Sequence, residues 1–239
     1  MPRLSIVVPA YNEAARLPVT LPKLADFFRR FDAAELLVVD DGSRDQTAAM
    51  VEEFARLHPF CRLLKNPGNR GKGYSVRHGM LEAKGDWILS TDADLSSPID
   101  EVMTLWAAAD RVKAPIAIGS RALDRSLVGV HQSPLREWSG RAFNLVMRLA
   151  TGLPYMDTQC GFKMYRRDAA QIVFPRQRLD GFGFDVEDLL IAQIHGLRAV
   201  EVPVHWNNVE GTKVSSLSGA KAFTDLALVR WNQLMGRYK

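Results

Sequence analysis

Short apolar runs and apolar residues at helical spacing take turns along the first half of the chain. Leu4–Pro9 is a compact apolar strand, and Leu17, Leu21, Leu24, Phe27, Phe28 and Phe31 then recur at the spacing of one helix face. The alternation continues as strand Glu35–Asp40, helix Asp45–Leu57, strand Cys61–Lys65 and helix Tyr74–Ala83. Strand Trp87–Thr91, a helix from about Pro98 to Arg111 and strand Ile116–Gly119 complete it. Strands joined through helices favour one direction, so the pattern predicts an α/β fold with a mostly parallel central sheet flanked by helices.

The second half is less regular. Leu135–Thr151 reads as an amphipathic helix, Phe162–Tyr165 as a short strand, Asp185–His195 as a helix and Ala199–Val204 as a strand. Asn208–Gly219 is polar and punctuated by glycine and serine, which predicts a mobile loop before a last helix at about Ala220–Met235. No internal repeat or low-complexity linker divides the chain. Its 239 residues suit a single domain over 1–239.

Composition narrows this only slightly. The chain is 47% hydrophobic and 24% charged, and its net charge of +4 suits polyanionic small substrates or an anionic membrane surface without demanding either. No nucleic-acid partner is expected, and the oligomeric state is open. Cys61 and Cys160 have no metal-ligand spacing and read as cytoplasmic thiols. The first apolar run is too short for a secretory signal, and no stretch approaches the roughly 20 apolar residues of a membrane span. A cytoplasmic protein with at most peripheral contact at the cytoplasmic membrane face is expected.

Candidate chemistry collects at strand ends. Asp92 and Asp94 follow Trp87–Thr91, and residues i and i+2 of an extended segment project to one face. If strand geometry persists to Asp94, both carboxylates address one cation; a solvated strand end is the alternative. Pro9-Ala10-Tyr11-Asn12-Glu13 and Asp40-Asp41-Gly42-Ser43 end two further strands, and ligands of open α/β sheets gather at that edge. Ser43 and Asp45 also suit helix capping. Pro67-Gly68-Asn69-Arg70-Gly71-Lys72-Gly73 is an anion-friendly loop before a helix, but it has neither Walker A nor dinucleotide-fingerprint spacing.

Taken in order, Val8–Glu13, Val39–Thr47, Asn69–Gly73 and Thr91–Leu95 resemble the family 2 glycosyltransferases. Gly119-Ser120-Arg121 and Asp157-Thr158-Gln159-Cys160-Gly161-Phe162-Lys163 narrow the likeness to the dolichyl- or polyprenyl-phosphate glucosyltransferase branch. The resemblance implies the GT-A nucleotide-sugar-binding fold, with 1–120 mainly on the donor side and 121–239 mainly on the acceptor side. It assigns Pro9, Tyr11 and Glu13 to the nucleoside and brings Asp40 or Asp41 near uracil. The family's Asp-x-Asp falls on Asp92, Ala93 and Asp94, with Asp94 the stronger ligand for Mg²⁺ or Mn²⁺. Asp92 divides its contacts between metal and sugar or ribose. Lys72 falls close to the nucleotide, with structural tuning as its alternative role.

On the acceptor side the resemblance favours Arg121 and Arg136 for a lipid phosphate, then Arg141, with Lys163 closing the site. Asp157 either orients these cations or accepts a proton. Asp185, Glu187 and Asp188 are candidate acceptor-side acids, although acid enrichment in a first helical turn has a simpler electrostatic explanation. Trp206 and Lys213 belong to a late loop over donor phosphate or sugar, and His205 is open between metal ligand and strand-end hydrogen bonding. The implied reaction is inverting, metal-dependent transfer of glucose from UDP-glucose to a polyprenyl or dolichyl phosphate. The alternatives are GDP-mannose as donor, a soluble acceptor, or a noncatalytic nucleotide-sugar-binding protein. The family's usual membrane anchor is not seen, and Gly129–Thr151 and Ala220–Met235 are the segments able to lie on a membrane.

Overall fold

A computed structural model describes residues 3–30, 34–130, 144–207 and 217–239. The strands are β1 (Leu4–Ala10), β2 (Ala34–Asp40), β3 (Cys61–Lys65), β4 (Trp87–Ser90), β5 (Ile116–Ser120), β6 (Val128–Val130), β7 (Lys163–Arg166), β8 (Ala199–Pro203) and β9 (Trp206–Asn207). The helices are α1 (Leu17–Phe28), α2 (Thr47–Leu57), α3 (Lys72–Glu82), α4 (Glu101–Val112), α5 (144–151), α6 (Arg167–Val173), α7 (Phe184–Ile194) and α8 (Leu217–Leu234).

Seven strands form one sheet in the order β3-β2-β1-β4-β7-β5-β8. All neighbours pair in parallel except β7, which runs antiparallel to both β4 and β5. The expected α/β architecture is therefore present, with one reversed strand in its middle. That reversal matters: it sets Lys163 opposite Ser90, at the end of β4 that leads into Asp92.

Both sheet faces are covered. Leu17, Leu24 and Phe27 of α1, Val51 of α2, and Val102 and Leu105 of α4 bury against one face with Ile6, Val8, Leu36 and Leu89. Val76 and Met80 of α3, Ala170 and Val173 of α6, and Leu189 and Leu190 of α7 bury against the other with Val7, Val39 and Ile88. Met147 of α5 and Leu226 and Val229 of α8 join this second layer. The near-continuous burial of β1 and β4 follows from having helices on both sides.

Several boundaries differ from the pattern-based expectation. Helix α3 starts at Lys72 rather than Tyr74, and residues 217–219 are helical rather than loop. The seven-residue α6 and the two-stranded ribbon β6-β9 are too short to leave a periodic signal. Of the Leu135–Thr151 helix, 144–151 is helical and 135–143 lies outside the described residues, as do 208–216 of the polar segment. Among the described residues, no helix is long and apolar enough to cross a membrane.

Candidate active site

The Asp92-Ala93-Asp94 segment does not continue β4. The strand ends at Ser90, and Thr91 N makes a last bond of 3.0 Å to the Val7 carbonyl. The chain then turns, with Leu95 N donating to the Asp92 carbonyl at 3.1 Å and Leu95 at φ 47°. Ala93 is buried, and its carbonyl accepts from Thr20 Oγ1 at 2.6 Å. A pinned alanine inside a turn thus leaves the two half-buried aspartates flanking it. Strand alternation is not what places them, because the extended geometry it requires has already stopped.

Each aspartate has its own brace. Asp94 Oδ1 accepts from Ser96 N at 2.9 Å and Ser96 Oγ at 2.8 Å. Asp92 Oδ1 lies 2.6 Å from Lys72 Nζ, and the Asp92 carboxylate packs over Gly161, where an added Cβ would come within 2.7 Å of Oδ2. Burial works against a charged Asp92, but Lys72, Lys163 and Arg121 outweigh it and hold the carboxyl below its usual range. Burial likewise opposes the Lys72 ammonium, and Asp92, Asp185 and Asp94 overcome it, raising its pKa.

Two further ion pairs stand behind this centre. Lys163 and Asp185 are both buried; Lys163 Nζ bonds the Asp185 carboxylate and also donates to the Cys160 carbonyl at 2.8 Å. Arg121 grips the buried Asp157 through Nε at 2.6 Å and Nη2 at 2.8 Å, with its backbone N adding a third bond at 3.1 Å. Burial raises the Asp157 carboxyl, but Arg121 dominates and the net shift is downward. The Arg121 guanidinium also lies over the Trp206 ring, 5.6 Å from its centroid. Asp92, Asp94, Lys72, Asp157, Arg121, Lys163, Asp185 and Trp206 are thus linked around one region.

The nucleoside-side candidates occupy the adjoining loops. Pro9 is in β1, Tyr11 follows its end, and Glu13 pairs with Arg16 at 2.9 Å. Asn12 N donates to Ser43 Oγ at 2.9 Å and Arg44 N to Asn12 Oδ1 at 2.8 Å, stitching the first two loops together. Asp40 accepts weakly from Ser43 N at 3.3 Å. Asp41, by contrast, spends both oxygens on the glycine loop: Asn66 Nδ2 and Arg70 N donate to Oδ1 and Gly71 N to Oδ2, at 2.8, 2.9 and 2.8 Å.

That loop is not an open phosphate cradle. Gly71 has φ +105°, and a Cβ there would sit 2.4 Å from the Asp180 carbonyl oxygen. A Cβ on Gly73 would lie 2.5 Å from the Leu179 carbonyl oxygen. Tyr74 N, at the start of α3, donates to the Asp180 carbonyl at 3.2 Å. The glycines admit residues 179–181, and this close approach presents Lys72 toward Asp92.

The acidic cluster of α7 divides into three roles. Asp185 meets Lys163. Glu187 is fully buried and takes Arg178 N at 3.0 Å, Leu179 N at 2.8 Å and Tyr238 Oη at 2.7 Å, so it anchors the 178–179 segment. Asp188 is buried with no partner for Oδ1 among the described residues, and burial together with Glu187 and Asp185 raises its pKa well above normal. His205 Nδ1 bonds Glu101 rather than the aspartate pair. Arg136, Arg141 and Lys213 lie outside the described residues. Sequence reasoning missed Glu201, whose Oε1 accepts from Asp157 N at 2.8 Å; its signal was a lone carboxylate within the apolar strand Val200-Glu201-Val202.

Among the described residues, no group of three or more His, Cys, Asp or Glu side chains forms a metal cage. Asp92 and Asp94 offer carboxylate oxygens, the ligand type that a hard divalent ion takes together with phosphate and water oxygens.

The family description "Glycosyl transferase family 2" matches residues 5–174. The chain belongs to glycosyl transferase family 2. It is similar to a dolichyl-phosphate beta-glucosyltransferase of Trichomonas vaginalis, at 37% identity over 235 residues, 94% of this chain and 70% of that protein. The Homo sapiens protein of the same name is 32% identical over 252 residues, covering 99% of this chain and 78% of its own. This family 2 transferase also shares its fold with glucosyl-3-phosphoglycerate synthase from Mycobacterium tuberculosis in complex with Mn²⁺ and UDP-glucose. The TM-score is 0.67 at 18% identity, over 96% of this chain and 79% of that one. The expected GT-A fold is thereby established, and the chain is a glycosyltransferase.

Proposed function

We propose that this transferase moves glucose from UDP-glucose to a dolichyl or polyprenyl phosphate with inversion, in a Mg²⁺- or Mn²⁺-dependent reaction. The observation that carries the reading is the similarity, over 94% and 99% of this chain, to relatives named for dolichyl-phosphate glucosylation. The arrangement of charges supports it. Asp94 and Asp92 would hold the divalent ion, which would supply charge stabilisation to the departing diphosphate. Lys72 adds a cation beside them.

On the acceptor side, the part-exposed Arg121 offers positive charge to an incoming phosphate monoester, while Lys163 stays buried against Asp185. A phosphate oxygen is already anionic near neutral pH, so positioning and charge compensation matter more than proton removal. Asp157 accordingly orients Arg121, whose donors it already holds. Asp188 is too deeply buried to touch an acceptor, and Asp185 is committed to Lys163. Trp206 backs the Arg121 guanidinium.

A lipid acceptor brings the protein to a membrane surface, and α8 supports peripheral contact. Its outward face presents Phe223, Ala227, Leu228, Trp231 and Leu234, an apolar solvent-facing stripe that Met235 extends just past the helix end. The decisive test supplies purified protein with UDP-glucose or GDP-mannose, Mg²⁺ or Mn²⁺, and either short prenyl phosphates or soluble phosphorylated acceptors. Glucosyl-phosphoprenol should form from UDP-glucose, and Asp94→Ala should abolish metal-dependent turnover. Glycosylation of a soluble acceptor with none of the prenyl phosphate would overturn the lipid reading.

A further inference from the structure

The three cations near Asp92 are held in different ways. Arg121 is clamped bidentately to buried Asp157, and Lys163 is buried against buried Asp185. Lys72 pairs instead with a carboxylate that is 40% exposed, and its own side chain is 23% exposed. Its backbone is fixed between Gly71 and Gly73, both packed against residues 179–181. The anchor is rigid, while the four-carbon stem that carries the ammonium can turn.

Charge counting points the same way. Asp92, Asp94, Asp157 and Asp185 face Lys72, Lys163 and Arg121, four carboxylates against three cations, which leaves one negative charge. Asp94 is the carboxylate with no cation within ion-pair distance among the described residues. A divalent ion added alone would turn the cluster positive, with the Lys72 ammonium beside it on Asp92. A nucleoside diphosphate arriving with the ion cancels that positive charge and offers the ammonium new oxygens.

We infer that Lys72 is a displaceable counter-ion for Asp92. Its ammonium occupies the carboxylate until a diphosphate draws it away, so a divalent ion competes with Lys72 and binds tightly only together with the nucleotide. The inference rests on the donor-site reading above. It makes Lys72 a positioning residue that couples metal binding to donor binding, and the coupling is reciprocal.

The test measures free Mn²⁺ by electron paramagnetic resonance in titrations of the whole protein, with and without UDP. Wild type is compared with Lys72→Met, Lys72→Gln, Lys72→Arg and Asp94→Asn. Without UDP, the two neutral variants should bind Mn²⁺ about tenfold or more tighter than wild type, because a neighbouring positive charge is gone. UDP should then improve their Mn²⁺ affinity less than it improves that of wild type. Lys72→Arg should stay close to wild type without UDP. If wild type binds Mn²⁺ with UDP and Asp94→Asn loses it, yet the neutral variants bind Mn²⁺ no tighter than wild type without UDP, the Lys72 inference alone fails. If wild type takes up no Mn²⁺ even with UDP, the donor-site reading falls and the inference falls with it.

Discussion

Replacing Asp157 by Asn separates the ionic role of this residue from its shape. Its carboxylate accepts four bonds: 3.1, 2.6 and 2.8 Å from Arg121 N, Nε and Nη2, and 3.2 Å from Gln159 N. The amide turns an NH₂ group toward donors and removes the charge, so about two charge-assisted bonds are lost at roughly 1.5–3 kcal/mol each. The Arg121 side chain is 32% exposed, so water recovers part of that. A net loss of about 2–4 kcal/mol follows after discounting for solvent. Urea unfolding at pH 7 measures it, and a difference below about 1 kcal/mol would refute the estimate.

The pH dependence of the same variant checks the origin of the effect. Arg121 depresses the folded-state pKa of Asp157 against the opposing effect of burial, so folding favours the ionised form. Its contribution is complete above the unfolded value of roughly 3.9 and disappears as pH falls through the folded value. The stability gap between wild type and Asp157→Asn should be flat from about pH 5 to 8 and should close below about pH 4. A gap of equal size in acid would mean that packing, not the ion pair, is being measured.

Two further substitutions probe the frame that presents Lys72. Gly71→Ala places a methyl 2.4 Å from the Asp180 carbonyl oxygen at φ +105°, and should destabilise by about 2–4 kcal/mol in thermal or urea unfolding; a neutral effect would contradict the close packing of these segments. Tyr238→Phe removes the 2.7 Å bond to Glu187 and should cost about 1–2 kcal/mol in urea unfolding; an unchanged stability would contradict the anchoring role of that bond.

The first half of the chain was legible because its strands are short apolar runs bounded by helices. Cys61–Lys65 falls where the pattern put it, and β1, β2 and β4 differ only at their ends. The reversal of β7 left no such trace. Its four residues carry no directional signal, yet their antiparallel pairing is what brings Lys163 to the end of β4. The roles within Asp185-Val186-Glu187-Asp188 were equally hidden, since adjacent acids of one helical turn meet a lysine, a backbone segment and an apolar interior. The glycine loop shows a different limit. The same composition suits a phosphate or a close polypeptide neighbour, and only the packing of 179–181 distinguishes them.

For the proposed reaction, these pairings bear on how a phosphate nucleophile can approach a centre rich in carboxylates. Left unpaired, Asp157 and Asp185 would repel both donor and acceptor, and burying them would be costly. Arg121 and Lys163 neutralise them in fixed geometry, so little reorganisation remains for the reaction itself. Fixing every charge in this way would leave no carboxylate ready to take a divalent ion. In the proposed site, the half-exposed Asp92 and Asp94, which has no cation within ion-pair distance among the described residues, supply that remaining capacity, placed in a turn rather than in the rigid strand before it. On the proposed reading, rigid pairs at Asp157 and Asp185 and an exchangeable pair at Asp92 are therefore complementary requirements of one electrostatic problem.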